Sequence, residues 1–434
     1  MPFVCPETPS PRERLHVLII GAGLCGLGAA ISIQLAGHQV TVLEAVPTLR
    51  EVGAGLQITP NGTRLLRAWG VDDILKPQAA PPETFSMYRF DGRTLAHRNN
   101  YAEELEARYN HPLWCLHRAD LQRALTDRAV ELGALIRLGT RVTNIDADAA
   151  RVTVETGEIF TADLVLAADG LWSTARAALP SDGSKFQPQP TGDLAYRIMV
   201  EREAVQDPEL QGWLAKPGIH IWVGPGVHAV AYSIRGGQWM NLVLLVPDNL
   251  PEHVAKADGD LEEMMSLFRG WDPILTRLLK LTTKVEKWRL HCLNPLPYWK
   301  TSNGSFVAAG DCAHPMLPYM AQGANSSLED AATLGALLSK VHRREQIPSA
   351  MAMYDAIRRP RVDQLVRETF AQGKEHHFPD GPEQRHRDQL LSRSMEEDGG
   401  PDSKNPWTHP KIQPWVYGYD AYAVVEETYA GNPF

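Results

Sequence analysis

A glycine-rich turn and a later acid form the first group of residues whose types and spacing could do chemistry. Gly21, Gly23 and Gly26 follow an apolar segment, and Glu44 comes 18 residues after Gly26. In such turns the backbone N–H groups at a helix N-terminus approach a dinucleotide pyrophosphate, and the acid accepts hydrogen bonds from ribose hydroxyls. The carboxylate repels a 2′-phosphate, so the pattern favours FAD or NAD over NADP here. The alternative is a glycine-rich helix packed on a sheet without a ligand.

Two further acids directly follow apolar segments. Asp169-Gly170 comes after 164–168, and Gly310-Asp311 comes after 306–309. Ligands of open α/β sheets bind where parallel strands end, so we expect these two positions and the glycine turn to converge on one ligand. An ordinary Asp-Gly turn is the alternative for the first of them.

A third group lies among short strands and tight turns between 192 and 247. His228 and Tyr232 are four residues apart, so in a strand both side chains project from one face with Val230 between them. An imidazole can help to deprotonate a ring hydroxyl, and a phenol can donate to a carboxylate or carbonyl. Arg197 has apolar neighbours and could clamp a substrate carboxylate or phenolate. The alternatives are a structural histidine and tyrosine, and an arginine exposed to solvent.

The elements that must position these residues follow from the hydrophobic pattern. His16–Ile20 predicts a strand, a helix then ends at Gly37, and Gln39–Leu43 predicts a second strand, which together make a βαβ unit. Four more helices are predicted at 120–132, 261–269, 326–341 and 350–370. Strands are predicted at 219–223, 227–234 and 239–246, and we expect them to pair in an antiparallel sheet. Ser326, Ser327, Leu328 and Glu329 fit a capping box at a helix start.

Three motifs in a fixed order carry a resemblance to a known family. They are the glycine turn, Asp169-Gly170 with Ser173 and Arg176, and Gly310-Asp311 leading into 315–325. In this order they resemble the class A FAD-dependent aromatic monooxygenases of the p-hydroxybenzoate hydroxylase superfamily, and within it the salicylate hydroxylases and their fungal relatives. The resemblance covers the chain from about residue 15 to residue 370.

The resemblance implies an α/β fold. A Rossmann-like FAD-binding domain of the p-hydroxybenzoate hydroxylase type would carry an inserted mixed β-sheet substrate domain and a C-terminal extension. The expected divisions are 1–185 for the first part of the FAD-binding domain, 186–295 for the substrate-binding sheet domain, 296–373 for the second part of the FAD-binding domain with long helices, and 374–434 for a polar linker and an aromatic tail docked on the body.

Roles for single residues are implied as well. Glu44 would hold the adenosine ribose, Arg118 would approach the pyrophosphate or ribityl region, Asp169 would serve both the FAD pyrophosphate and the nicotinamide nucleotide, and Asp311 would bind a ribityl hydroxyl. N–H groups at the helix start near Gly323 would stabilise negative charge at the flavin N1–C2=O. The cofactor-binding residues are expected to be Gly21, Gly23, Gly26, Glu44, Gly55, Arg118, Asp169, Asp311, Gly323, Ala324 and Asn325. The residues assigned to catalysis and substrate binding are His228, Tyr232, Arg197 and Pro318.

The implied reaction is the hydroxylation of a phenolic substrate, either a salicylate-like hydroxybenzoate or a phenolic ketone. NAD(P)H reduces FAD, and O2 then gives a C4a-hydroperoxyflavin whose distal oxygen attacks an electron-rich ring carbon. The attack needs an ionised phenol, so lowering the phenol pKa is the expected duty of His228, Tyr232 or Arg197. A dearomatising hydroxylation of a fungal polyketide phenol stays open, as do a flavin-dependent dehydrogenase and a non-catalytic flavin-binding regulator.

Composition bounds the partners and the compartment. The 434 residues carry 43 Lys and Arg against 52 Asp and Glu, a net charge of −9, so nucleic acid is not an expected partner. The apolar stretch 15–33 contains four glycines as well as His16 and Ser32, which argues against a signal or membrane helix. Five cysteines without a C-x-x-C pair fit a reducing compartment. We expect a cytoplasmic monomer or homodimer.

Two polar groups late in the chain are expected to face solvent. His376, His377 and His386 fall in the predicted linker 374–404 without an acidic or cysteine partner, so no metal site is expected. The run Arg358-Arg359-Pro360-Arg361 matches an Arg-Pro-Arg element of the family, and we interpret it as an exposed helix face.

His314 follows the Gly310-Asp311 motif and is expected to be structural.

Overall fold

The computed structural model describes residues 13–49, 55–180, 186–393 and 411–434. Its strands are β1 (His16–Ile20), β2 (Gln39–Leu43), β3 (Gly55–Ile58), β4 (Thr84–Arg89), β5 (Thr94–Asn99), β6 (Trp114–His117), β7 (Leu135–Arg137), β8 (Val142–Asp146), β9 (Arg151–Val154), β10 (Ile159–Thr161), β11 (Leu164–Ala167), β12 (Gln189–Glu201), β13 (Gly218–Gly224), β14 (Val227–Ile234), β15 (Trp239–Pro247), β16 (Lys256–Asp258), β17 (Glu286–Cys292) and β18 (Phe306–Ala308). Its helices are α1 (Leu24–Leu35), α2 (Pro60–Ala68), α3 (Asp72–Leu75), α4 (Tyr101–Tyr109), α5 (Arg118–Glu131), α6 (Pro208–Leu214), α7 (Leu261–Leu267), α8 (Pro273–Lys280), α9 (Gly323–Leu338), α10 (Ile347–His376), α11 (Pro382–Arg393), α12 (Ile412–Tyr417) and α13 (Ala421–Gly431). Within these ranges, no helix combines the length and the apolar character needed to cross a membrane.

A five-stranded parallel sheet in the order β18–β11–β1–β2–β7 forms the centre of the first unit. The βαβ unit predicted from the glycine turn is confirmed, because β1 and β2 pair in parallel through Val17 and Val40 and are joined by α1. The buried strand β1 also pairs with β11, and β11 pairs with β18, which comes more than a hundred residues later. Parallel strands end at one edge of a sheet, so the turn after β1 and the acids after β2, β11 and β18 gather there.

An eight-stranded mixed sheet forms the second unit, in the order β16–β17–β12–β15–β14–β13–β4–β5. The strands predicted between 192 and 247 pair antiparallel as expected, and only β13 and β4 run parallel among the neighbouring pairs. Strands β4 and β5 come from residues 84–99, within the range 1–185 expected for the FAD-binding domain. The sequence analysis did not anticipate that contribution, and the division into four ranges stays a prediction.

Along the central strands, successive side chains point to opposite faces of the mixed sheet. On β12 and β15, residues such as Tyr196 and Leu244 join a core with Leu210, Phe268 and Leu278, contributed by α6, α8 and the turn after α7. The residues between them on the strands project from the opposite face, since side chains repeat every two residues. That opposite face is turned towards the first unit and forms one wall of a cavity.

The interval expected to be a polar linker is helical where the structure describes it. Helix α10 continues to His376, and α11 covers 382–393, while 394–410 lie outside the described residues. The interpretation of 374–393 as a linker was wrong because its charges are used in docking. Arg89 donates to Asp380, and Arg93 pairs with Asp388 at 3.1 Å, so the segment is held against β4 and β5.

The aromatic tail docks on the body. Trp69 donates from Nε1 to the hydroxyl of Tyr422 at 2.7 Å, and Arg361 donates to the carbonyl oxygen of Trp415 at 3.0 Å. The guanidinium of Arg361 also lies 3.7 Å from the ring centroid of Tyr419. These contacts tie the last two helices to α2 and α10.

Candidate active site

The glycine turn ends in a helix N-terminus that is open to the cavity. Gly21 has a φ of +103°, and a Cβ on it would lie 2.5 Å from the carbonyl oxygen of Ala168, so this position needs glycine. A Cβ on Gly26 would lie 2.0 Å from the Gly21 carbonyl oxygen, but a Cβ on Gly23 would meet nothing within 4 Å. No side chain caps α1, whose first residues line the cavity. The unpaired N–H groups therefore form an anion site with free space in front of Gly23.

Glu44 holds the turn from the end of β2. Its Oε2 accepts from the backbone N–H of Ala22 at 2.7 Å, and its Oε1 accepts from Val46 at 3.0 Å. A carboxylate offers about four acceptor positions, so both oxygens keep capacity for ribose hydroxyls. That role of Glu44 stays a prediction.

Two acids and a cation lie around the same strand ends. Asp311 is exposed in the cavity wall, and Arg118 at the start of α5 lines the cavity too. Asp169 accepts from the N–H groups of Thr174 and Ala175 through Oδ2, at 2.9 and 3.0 Å, while its buried Oδ1 has no partner. The neighbours of Asp169 on the strand end, Ala168 and Gly170, line the cavity, and the role of Asp169 towards a cofactor stays a prediction.

Helix α9 starts at Gly323, earlier than the sequence predicted. The proposed capping box at Ser326 and Glu329 is wrong, because both residues lie inside the helix and no side chain caps its N-terminus. Gly323 and Ala324 line the cavity. The Asn325 amide is buried and fully engaged, since it donates to the carbonyl oxygens of Gln57 and Ala321 and accepts from Thr59. The open N–H groups at this end can face a negatively charged ring system, and that role stays a prediction.

The remaining predicted cofactor residue, Gly55, lies where the two units meet. Its N–H donates to Asn241 Oδ1 at 2.8 Å, and a Cβ on Gly55 would come within 2.6 Å of the Tyr232 ring. Glycine at position 55 thus allows the small β3–β6 pair to approach the mixed sheet.

Pro318, which the sequence analysis assigned to catalysis, lies in the cavity wall after Asp311 and is exposed to the cavity.

The residues around this cavity fit a flavin dinucleotide. Two uncapped helix N-termini, the carboxylate of Asp311 and free space at Gly23 surround a volume of about 310 Å³ that continues to the mixed sheet. Helix N-termini favour phosphate and a reduced, anionic ring, and the carboxylates of Asp311 and Glu44 suit hydroxyl groups.

A buried ion network anchors α9 beneath the cavity, and it corrects the interpretation of the basic run. Arg358 is fully buried and donates to Glu329 and Asp330, each at 2.7 Å, and Arg361 donates to Glu329 at 2.8 Å. The expectation of an exposed helix face was therefore wrong for these two arginines. His314 contacts Asp330 at 2.5 Å, which gives it the structural position expected.

The wall facing the cofactor side comes from alternate residues of β12, β14 and β15. His228, Val230 and Tyr232 all line the cavity, as their spacing predicted, and Arg197 lies across from them on β12. The strand register pairs Arg197 of β12 with Val243 of β15, and Val243 with Val230 of β14. The arrangement puts one cation, one phenol and one imidazole on a mostly apolar surface.

Arg197 has no carboxylate partner among the described residues. Its buried Nε makes no hydrogen bond, and its guanidinium carbon lies 4.8 Å from the ring centroid of Trp288. Burial lowers the pKa of Arg197, Tyr232 opposes that effect, and Arg118 adds to it. Guanidinium groups stay protonated in proteins, so the half-buried Arg197 places a positive charge in the cavity wall that an anionic ligand can neutralise. Burial raises the pKa of Tyr232, which therefore keeps its hydroxyl proton.

The other end of this wall is a histidine cluster that the sequence analysis missed. His228 Nδ1 lies 2.7 Å from His377 Nε2, and its ring centroid lies 4.8 Å from that of His376. Tyr319 packs on His228 and donates to Asp193 at 2.7 Å. His376 is buried and His377 half-buried, so the expectation that both face solvent was wrong. The i, i+4 spacing of Gln372 and His376 on an extended α10 is the signal that could have found them.

Electrostatics keep the cluster neutral. Burial lowers the pKa of His228 well below its ordinary value, and His376 and His377 lower it further. In the neutral pair one ring donates to the other, and a proton on His228 Nδ1 leaves its Nε2 as an acceptor. Because His228 lines the cavity, an acceptor there can take a hydrogen bond from a hydroxyl group of a ligand.

The chain resembles known proteins in both sequence and structure. A model of the FAD binding domain matches residues 14–230 and 282–369. The chain is 49% identical over 427 residues to the FAD-dependent monooxygenase OpS4 of Beauveria bassiana, covering 98% of this chain and 99% of that protein. It is 32% identical over 366 residues to a 3-hydroxybenzoate 6-hydroxylase of Polaromonas naphthalenivorans, covering 84% and 88% of the two chains. A salicylate hydroxylase structure shares the fold, with a TM-score of 0.76 at 22% identity over 95% of this chain and 97% of that one.

Proposed function

Because the chain belongs to the FAD-dependent aromatic monooxygenases, we propose that it hydroxylates a hydroxybenzoate held between Arg197 and His228. The observation that carries the choice of substrate is the half-buried guanidinium of Arg197 in the cavity wall, which lacks an anionic partner among the described residues. A carboxylate matches a guanidinium in charge and in bidentate geometry. The relative named 3-hydroxybenzoate 6-hydroxylase supports the same substrate class.

Bound FAD supplies the redox chemistry, because it takes electrons from a reduced nicotinamide and activates O2, which no side chain can do. The residues of this chain orient the arene and raise its electron density. Arg197 binds the carboxylate, and His228 Nε2 accepts the hydrogen bond of the phenol. In the proposed tautomer His228 donates from Nδ1 to His377 Nε2, which leaves the Nε2 of His228 as the acceptor. Tyr232 keeps its proton and donates to an oxygen of the substrate.

The reductant is proposed to be NADH or NADPH bound transiently. The described residues contain one glycine-turn dinucleotide site, at Gly21 to Gly26, and in the proposed function FAD occupies it. A nicotinamide nucleotide would then approach the flavin from the side of Asp169, as the family resemblance implies. Oxidation of NADH and of NADPH by the yellow holoenzyme, with and without a hydroxybenzoate, decides between them.

The test of the substrate proposal uses Arg197→Met in the holoenzyme. We expect the variant to keep its flavin and to bind 2-hydroxybenzoate roughly 10- to 150-fold more weakly, because charge-assisted hydrogen bonds are lost. Arg202→Met is the matched control, since Arg202 is exposed just after the same strand. Affinity is read from the change in flavin absorbance, and O2 uptake reports turnover. Wild-type affinity in the Arg197 variant contradicts the proposal.

A further inference from the structure

His376 carries a buried ring nitrogen that no atom of the described residues uses. It is the last residue of α10, its side chain is 1% exposed, and it lines the cavity beside His228. Its Nδ1 has no hydrogen-bond partner among the described residues. Buried polar groups are nearly always paired, so this nitrogen is suited to a polar atom of a bound ligand.

The neighbouring amide fixes which ring nitrogen bears the proton. Gln372 Nε2 lies 2.7 Å from His376 Nε2, and an amide nitrogen only donates, so His376 Nε2 is the acceptor. Burial lowers the pKa of His376 to about 3, with further lowering from His377 and Arg387, so the ring is neutral. A neutral ring that accepts at Nε2 carries its proton at Nδ1. The unused atom is therefore an N–H donor.

The ring of His376 lies beside the ring of His228, the residue already assigned to the phenol. The rings of His376 and His228 meet edge to face, with centroids 4.8 Å apart. Arg197 belongs to β12, which β15 separates from the β14 strand of His228. A hydroxybenzoate that bridges Arg197 and His228 thus presents the rest of its ring to His376 and the neighbouring wall. If the substrate ring carries only a hydrogen atom at that position, the Nδ1–H of His376 stays without an acceptor.

We propose that His376 is a substrate-binding residue that selects arenes with a second oxygen substituent, a hydroxyl or carbonyl that accepts from its Nδ1–H. The inference rests on the proposed function and narrows its substrate class to dihydroxybenzoates and acyl-substituted hydroxybenzoates. An unpaired buried donor weakens the binding of ligands that lack the acceptor. Pairing it is expected to improve affinity roughly 5- to 150-fold.

The experiment compares ligands and variants in the holoenzyme. The probes are 2-hydroxybenzoate and the 2,3-, 2,4-, 2,5- and 2,6-dihydroxybenzoates, with Kd read from flavin absorbance. We expect one or more dihydroxybenzoates to bind the wild type roughly 5- to 150-fold more tightly than 2-hydroxybenzoate. His376→Phe should abolish that preference, so that the Kd values of the dihydroxybenzoates and of 2-hydroxybenzoate agree within about two-fold in the variant, while His376→Gln, which keeps an N–H donor, should recover part of the preference. His386→Phe is the control, since His386 is exposed on α11.

Three results overturn the role of His376. They are a preference for a second oxygen that survives His376→Phe, the absence of any such preference in the wild type, and an equal loss of affinity for all five probes in both variants. The last result would make the residue purely structural. If the wild type binds none of the probes, the proposed function fails together with this inference. If it binds and hydroxylates 2-hydroxybenzoate without gain from a second oxygen, only the inference fails.

Discussion

Two glycines of the same turn should respond in opposite ways to alanine. At Gly26 an added Cβ would lie 2.0 Å from the Gly21 carbonyl oxygen, and a backbone atom cannot move aside as a flexible side chain can. Overpacking of this kind costs about 2–4 kcal/mol of unfolding free energy. At Gly23 the φ is −76°, and the added Cβ meets nothing within 4 Å. Alanine is a poorer helix N-cap than glycine, which lowers stability, but it also makes the unfolded chain less flexible, which raises stability. The two effects nearly cancel, so the free energy of unfolding should change by less than about 1 kcal/mol.

The order reverses for the cofactor. The space in front of Gly23 is where the pyrophosphate must approach the α1 N–H groups, so a methyl group there displaces one or two charge-assisted hydrogen bonds. At about 1.5–3 kcal/mol each, the loss of one such bond should lower FAD affinity roughly 10- to 150-fold, and the loss of two should lower it further. Denaturant unfolding of the apoproteins, followed by circular dichroism, gives the stabilities, and quenching of flavin fluorescence gives the FAD Kd. Wild-type FAD affinity in Gly23→Ala would refute the placement of the pyrophosphate, and a Gly26→Ala protein as stable as the wild type would refute the packing argument.

Three further outcomes are expected. Glu329→Gln removes a charge that Arg358 needs in a fully buried pair, so it should lower the free energy of unfolding by roughly 3 kcal/mol or more, measured by denaturant titration. Tyr422→Phe leaves the buried Trp69 indole N–H without its acceptor and should cost about 1–3 kcal/mol, whereas Tyr298→Phe, on an exposed side chain, should cost almost nothing. Burial lowers the pKa of His220 to about 3, and its unfolded value lies near 6.5, so its contribution to stability is present above pH 6.5 and is lost as the pH falls. The wild type should lose about 2 kcal/mol more than His220→Gln between pH 7 and pH 5, and equal losses would show that His220 takes up a proton in the folded state.

The features that were predictable from the sequence are those that local patterns encode. The βαβ unit, the acids after β11 and β18, and the spacing of His228 and Tyr232 on one strand face depend on residues only a few positions apart. Their periodicities of 3.6 and 2 are readable along the chain. The family and its fold followed from the order of these motifs. Strands β4 and β5 were missed because nothing local indicates which sheet a short strand joins.

The errors share a physical cause, which is pairing between residues far apart in the chain. Ser326 and Glu329 have the spacing of a capping box, but both side chains bind arginines of α10 instead. Arg358 donates to the Ser326 hydroxyl at 3.0 Å, and Arg361 donates to Glu329 at 2.8 Å. The helix is therefore free to start earlier, with an uncapped N-terminus at the cavity. In the same way, composition assigns His377 to a linker, although its partner is His228, 149 residues away.

The same long-range pairs give the end of the chain a place in the active site. Helix α10 carries the arginines that anchor α9 near its first turn, and its last turn carries the histidines that pack on His228. One rigid helix thus connects the N-terminus that faces the cofactor side with the wall that faces the substrate side. A substitution that tilts α10 should therefore alter flavin and substrate binding together, whereas a substitution confined to β12 or β14 should alter substrate binding alone.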